Sequence, residues 1–453
     1  MSIFREYDIR GVYGQDLTEK IAEGIGSAFG TMILRAGGKQ VSLGYDVRLS
    51  TPALKAALLS GLLPTGVHVI DIGECPTPVL YFSLYQLPVD GGIMITASHN
   101  PGEFNGFKLC RGKHTLFGDE IQQIKTMMDT HDFDHAEQKG GLRVEADFLS
   151  MYSDYFYKQF GRFEKKKVVI DCGNGAAALN APELFKRLGC EVSPIFFEAY
   201  GPFLNHHPDP TDSKNLEDLI AAVKRERADL GIAFDGDGDR IGAVDEEGTI
   251  IWGDRLTLLF ASDILKEHPG ATIISEVKAS QILYDEITRM GGNGIMWKTG
   301  HSLIKSKMKE TGALLAGEMS GHIFFADRYF GYDDATYAAC RLIEILIKGG
   351  SPLSTHFKNL PKSYVTPEIR VDCPDNLKFE ITEQCRAFFS KHFKTIDIDG
   401  VRILLQDGWG LIRASNTQPA LVLRFEASTP EHLAKNREGI EKYLNVLLSK
   451  KGG

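Results

Sequence analysis

Apolar residues first recur with helical spacing at Ile21, Ile25, Phe29, Met32 and Ile33. Asp16 or Thr18 can cap that helix, and Gly37-Gly38 ends it. Residues 40–45 then read as a strand, 51–63 as a helix with Pro52 in its first turn, and 67–72 as a strand. Residues 77–85 read as another helix, and the apolar run 91–95 as a buried strand. Ahead of them, residues 7–14 read as a glycine-punctuated loop carrying Arg10 and Tyr13. Strands alternating with helices predict a parallel or mixed sheet.

This plan recurs twice, with strands at 167–171, 192–197 and 230–234, then at 272–276, 294–297 and 313–315. Each time the third strand runs into a polar, glycine-bearing loop, at 96–101, 235–240 and 317–322. No residue-level repeat accompanies the pattern, so the expectation is three structurally related α/β domains with mixed sheets, each bringing one loop to a shared cleft. The last segment differs. A strand at 369–371, a helix near 377–392, strands at 400–405, 410–413 and 420–427, and an amphipathic helix at 431–448 predict a C-terminal α+β domain. The expected divisions are 1–150, 151–252, 253–364 and 365–453.

Composition narrows the classes. With 453 residues the chain exceeds one core. A net charge of −9 argues against a nucleic-acid binder. No apolar run approaches membrane-spanning length, and the opening residues show no apolar signal region. Seven widely spaced cysteines without Cys-x-x-Cys predict reduced, buried thiols in a cytoplasmic protein and argue against zinc.

The loops carry the chemistry. Thr96-Ala97-Ser98-His99-Asn100-Pro101-Gly102 holds a hydroxyl on a turn that can be neither helix nor strand. On an extended chain Ser98 and His99 would point to opposite sides, so His99 is not an obvious base for Ser98. Asp235-Gly236-Asp237-Gly238-Asp239-Arg240 places carboxylates at i, i+2 and i+4, where they can converge on one hard cation; the alternative is a solvated acidic loop. An EF-hand is excluded, because Arg240 stands where that loop needs glycine. Gly317-Glu318-Met319-Ser320-Gly321-His322 suits vicinal sugar hydroxyls. Arg413-Ala414-Ser415-Asn416-Thr417 suits a phosphate, or is a capped hairpin turn. Lys108, Lys278 and His301 are isolated candidates. Gly173-Asn174-Gly175 fits a loose dinucleotide fingerprint but equally a tight strand–helix turn. Asn205–Asp209 reads as a structural loop.

Taken together and in order, these four loops resemble those of the α-D-phosphohexomutase family, most closely its bacterial phosphomannomutase/phosphoglucomutase branch. The resemblance covers the whole chain and implies four domains in a heart-shaped molecule around a central cleft. It implies phosphoryl transfer between the 1- and 6-positions of hexose phosphates through phosphoserine at Ser98. Asp235, Asp237 and Asp239 would hold Mg²⁺ together with the phosphate on Ser98. Arg10, His99, Lys108, Arg240 and His301 would surround the transferred group, with Lys108 and His301 as proton-transfer candidates. Tyr13 and Lys278 would line the sugar site, Glu318, Ser320 and His322 would meet the sugar, and Arg413, Ser415, Asn416 and Thr417 would grip the distal phosphate. Met319 and His322 point to glucose and mannose; glutamine at the Met319 position is typical of phosphoglucosamine mutases, the alternative reading. Phe104 departs from the tyrosine found in many members. Implied too are a glucose or mannose 1,6-bisphosphate primer, hexose-phosphate substrates, no nucleic-acid or membrane partner, a monomer or weak dimer, and a hinged fourth domain. Readings from other classes are a nucleotide-binding oxidoreductase built on Gly173 and a non-catalytic cation-binding protein.

Overall fold

The structure, a computed structural model, describes residues 3–416 and 418–451, the last without its side chain. Three of its four sheets share one topology. In the first, Gln40–Tyr45 lies between His68–Glu74 and Gly91–Ile95, parallel to both, and Phe104–Arg111 closes that side antiparallel to Gly91–Ile95. In the second, Lys167–Asp171 lies between Glu191–Ile195 and Leu230–Phe234, with Ile241–Asp245 antiparallel beyond. In the third, Thr272–Glu276 lies between Asn293–Trp297 and Leu315–Gly317, with Ile323–Phe325 antiparallel beyond. The repeat expected from the pattern is thus present. Each candidate loop is the hairpin joining the third, parallel strand to the antiparallel fourth.

One hydrophobic core runs through all three of these units. It joins Leu80 and Phe82 of the first to Phe156, Ile170 and Phe185 of the second and to Phe260, Phe325 and Tyr337 of the third. The opposite face of each sheet has a core of its own, such as Phe29, Ile93 and Phe107 in the first. Helix Phe148–Phe160, unread in the sequence, packs Phe148, Tyr152 and Phe156 into the shared core and straddles the expected 150/151 division. Residues 7–14 are not all loop either. Ile9–Val12 is a strand paired with Phe104–Arg111, because an edge strand takes its order from its partner rather than from its own pattern.

The fourth sheet is antiparallel and carries helices Asp375–Phe389 and Pro430–Lys451 over its own core. Its apolar contact with the third unit is small: Val277, Trp409 and Leu411, with Met296, Ile398 and Leu404 around them. Polar contacts dominate there. Arg402 donates to the carbonyls of Val277 and Ala279 at 2.8 and 2.9 Å, and Ser280 Oγ donates to Glu426 Oε1 at 2.5 Å. Lys278 Nζ meets Glu368 at 3.1 Å. All seven cysteines are free and buried, and no helix among the described residues is long and apolar enough to cross a membrane.

Where the three units meet, Asp334 caps helix Ala335–Gly349 through Tyr337 N–H at 2.9 Å and accepts the hydroxyls of Tyr152 at 2.9 Å and Tyr329 at 2.8 Å. Burial pushes its carboxyl up from the ordinary 3.8 to about 6. The folded chain therefore keeps a proton that the unfolded chain releases. The stability this provides is complete below the unfolded value and is lost as pH rises toward the folded one. The melting-temperature lead of wild type over Asp334→Asn is expected to be larger near pH 4.5 than near pH 7. Equal leads at both would contradict the assignment.

Candidate active site

Ser98 takes a left-handed backbone, φ +52°, immediately after the strand Gly91–Ile95. That turn brings its Oγ to 2.9 Å from Asp235 Oδ2 and to 3.2 Å from His99 Nδ1. The extended-chain expectation for His99 is therefore corrected: the positive φ folds two consecutive side chains to one side. Gly236 of the aspartate loop lies against Ser98, where a Cβ would collide with the Ser98 carbonyl oxygen. Arg10, on the edge strand, reaches the same loop and hydrogen-bonds Asn100 Oδ1.

Asp235, Asp237 and Asp239 are fully buried, with one oxygen from each within 4.8 Å of the others. Burial, then the neighbouring Asp239 and Asp237, holds the Asp235 carboxyl well above its usual range. Lys108 Nζ donates to Asp237 Oδ2 at 2.7 Å and Asp239 Oδ2 at 2.6 Å. Burial alone would lower its pKa, but the two carboxylates outweigh burial and keep it charged. Asp237 Oδ1 and Asp239 Oδ1 have no hydrogen-bond partner. Hard oxygen donors, buried and partnerless, fit a small divalent cation. Thr77 of the first unit fixes Asp237 from outside, donating its hydroxyl to Oδ2 at 2.6 Å and its N–H to the main-chain oxygen at 2.8 Å.

The second and third loops are tied by a bridge between Arg240 and His322. Arg240 Nε donates to His322 Nε2 at 2.9 Å, and His322 Nδ1 faces Asp333 Oδ2 at 2.9 Å. Asp239, His322 and Asp333 form a second buried group whose nitrogen and carboxylate oxygens lie within 4.8 Å of one another. His301 stacks on His322 at 5.7 Å; burial, then Lys305, pushes its pKa well down, so it is neutral. Glu318 accepts from Gly300 N–H at 2.7 Å and from Ser320 Oγ at 3.0 Å. Arg413 donates to Asp399 Oδ2 at 3.0 Å, and Asp399 also accepts from Thr299 N–H at 3.1 Å. Ser415 Oγ accepts from Gln418 N–H at 3.1 Å, closing the fourth loop. Asn416 hydrogen-bonds the Tyr7 hydroxyl, which itself donates to the Thr299 carbonyl at 2.7 Å. Thr417 lies outside the described residues.

Ser98, His99, Arg10, Lys108 and the three aspartates thus meet in one cluster. Arg240 and His322 connect it to His301, and the third unit reaches Arg413 and Asn416 through Thr299. Tyr13 is not brought in: its hydroxyl donates to Glu19 at 2.5 Å on the surface. Tyr7, in the same segment, instead joins the first unit to the third and fourth through Thr299 and Asn416. Lys278 is buried on Glu368, at the joint of the fourth domain. Asp333, Asp399 and Glu276 are further residues that sequence reasoning missed. Glu276 Oε1 accepts from Met319 N–H at 3.2 Å beneath the sugar-type loop. An acid at a strand end was the only local signal for Glu276, and one just before a helix the only signal for Asp333.

No domain holds this site alone, and a site to which each of four domains brings one loop marks the class of phosphohexomutases. Comparison with known proteins agrees. The alpha/beta/alpha domains I, II and III of phosphoglucomutase/phosphomannomutase match residues 1–135, 150–248 and 252–364, and the C-terminal domain of the same family matches 368–442. A phosphomannomutase/phosphoglucomutase of Pseudomonas putida is 48% identical over 439 residues, 96% of this chain and 94% of that protein. A phosphoglucomutase of Neisseria gonorrhoeae is 45% identical over 430 residues, 94% of this chain and 93% of the relative. A crystal structure of a phosphoglucomutase/phosphomannomutase family protein from Burkholderia thailandensis superposes with a TM-score of 0.92 at 41% identity, covering 100% of this chain and 98% of that one. The chain belongs to the phosphoglucomutase/phosphomannomutase family and is a hexose phosphate mutase, an isomerase.

Proposed function

We propose that the enzyme reversibly exchanges the 1- and 6-phosphates of glucose and mannose through a phosphoryl group carried on Ser98. The observation that carries this reading is the Ser98 hydroxyl 2.9 Å from Asp235, inside the charged cluster of Lys108, Asp237 and Asp239. The free sugar hydroxyl attacks phosphorus, its proton leaves, and the bond from phosphorus to Ser98 Oγ breaks. The resulting 1,6-bisphosphate turns end for end, and its other phosphate returns to Ser98. Such transfers depend on positioning and charge more than on covalent help. His301, held neutral by burial, and Lys108, beside Asp237 and Asp239, are the candidates for moving the proton. Arg10, His99 and Arg240 surround the moving group. Arg413, Ser415, Asn416 and Thr417 grip the other phosphate, Glu318 and Ser320 read sugar hydroxyls, and His322 and Lys278 line the pocket.

Asp235, Asp237 and Asp239 would hold Mg²⁺ with an oxygen of the group on Ser98. When bound, the ion supplies positive charge against the transferring phosphoryl oxygens. Glucose or mannose 1,6-bisphosphate would prime Ser98. Buried, unpaired cysteines support a cytoplasmic protein, and we read it as a monomer or weak dimer.

A coupled assay on glucose 1-phosphate, mannose 1-phosphate and glucosamine 1-phosphate, with primer and Mg²⁺, tests the reading. Turnover of the first two is expected to exceed that of the third by at least about tenfold. No Mg²⁺-dependent turnover of either would overturn it, and a preference for glucosamine 1-phosphate would reassign the sugar.

A further inference from the structure

Arg48 belongs to none of the four loops, yet its side chain is wholly buried beneath one of them. An arginine has five N–H donors in a rigid fork. Here all five are used. Nε donates to Asp46 Oδ2 at 3.0 Å. Nη1 donates to the carbonyls of Pro101 at 2.6 Å and Phe104 at 2.8 Å. Nη2 donates to the carbonyls of Ser98 at 2.8 Å and Asn100 at 2.6 Å. The guanidinium therefore gathers four main-chain oxygens of the serine loop around one plane. Asp46 completes the arrangement from the other side. Its Oδ2 accepts the Thr96 hydroxyl at 2.7 Å, and Thr96 Oγ1 in turn accepts the Ser98 N–H at 2.9 Å. Both the N–H and the C=O of Ser98 are thus fixed by the pair Asp46–Arg48.

The second unit presses on the same fork. The Phe203 ring lies 5.0 Å from the Arg48 guanidinium, and a Cβ on Gly201 would strike the Arg48 main chain. The device at the strand end also recurs. Asp46, Asp171 and Glu276 each stand at the C-terminal end of the central parallel strand of their sheet, are buried, and accept the N–H two residues on, at 3.1, 2.8 and 2.5 Å. Only the first of them carries a fork.

Resting on the reading of Ser98 as phosphate carrier, we propose that Arg48 is the positioning residue of that loop. It holds Ser98 in its left-handed conformation, so that Oγ keeps its place beside Asp235 whether or not it carries phosphate. Lysine cannot substitute, since one ammonium with three donors cannot span four carbonyls and a carboxylate.

The test uses the full chain. Arg48→Lys is expected to lower kcat about a hundredfold, the scale of a misplacement near 1 Å. KM for glucose 1-phosphate should stay within about threefold of wild type, because the fourth-domain phosphate loop and the sugar-type loop are untouched, and Mg²⁺ affinity by calorimetry should hold, because the aspartates are. A kcat within about threefold of wild type would overturn the proposal. So would a loss shared equally by kcat, KM and Mg²⁺ affinity, which marks a merely structural residue. If Arg48→Lys does not fold, Asp46→Asn decides: about a tenfold loss confined to kcat supports the proposal, and a wild-type kcat overturns it. Intact mass of wild type after incubation with glucose 1,6-bisphosphate separates the two layers. No phosphate on Ser98 would overturn the parent reading and this one together. A phosphorylated wild type beside a fully active Arg48→Lys would overturn this one alone.

Discussion

Replacing Ser98 with alanine is expected to cost at least about a thousandfold in turnover, about 4 kcal/mol of barrier. The hydroxyl is the atom that would carry the phosphoryl group, and nothing adjacent substitutes for it. His99 is neutral through burial and is engaged with Ser98 Oγ; Thr96 is committed to Asp46. Because alanine keeps the loop's main-chain bonds, Mg²⁺ and sugar phosphate should still bind. Intact mass should show no added phosphate after exposure to the bisphosphate. Activity near wild type would remove Ser98 from the reaction and with it the phosphoserine mechanism.

The second large effect is expected from Asp237→Asn. Asp237 Oδ2 is held by Thr77 and Lys108, which leaves Oδ1 partnerless in a buried site. Asparagine keeps the size and one oxygen but removes one of three negative charges. The Mg²⁺ concentration for half-maximal activity should rise about a hundredfold, and the loss should be partly recovered at high Mg²⁺. Turnover measured against Mg²⁺ decides it: an unchanged midpoint would mean the aspartate loop does not hold the ion.

Reading the chain without coordinates recovered what is local. The apolar runs at Lys167–Asp171 and Leu230–Phe234 predict their own strands, because buried parallel strands are uniformly apolar. The four loops announce themselves because their chemistry is contiguous. What was lost is pairing at a distance. Ile9–Val12 is a strand only because Phe104–Arg111 lies beside it. Tyr7 matters through Asn416 and Thr299, about 400 and 300 residues away. Arg48 and Asp333 bear on the loops from other elements, and no spacing rule links them. Tyr7 and Tyr13 share one short segment, and the chain alone does not say which ring turns inward. The helix Phe148–Phe160 was legible in principle, with Phe148, Tyr152 and Phe156 four residues apart, but it falls where one unit was taken to end.

The unequal seams between domains divide the labour of recognition. The serine, aspartate and sugar-type loops are set in one block around a common core, while Arg413, Ser415 and Asn416 ride on a domain joined mainly by hydrogen bonds and ion pairs. On the proposed reading the more lightly joined domain would hold a phosphate, which looks the same on every sugar, and discrimination would rest with the block built on the common core. An inhibitor that fills only the phosphate loop would fit every relative with such a loop. One that also reaches Glu318 and Met319 would, on the proposed reading, meet the loop that reads the sugar.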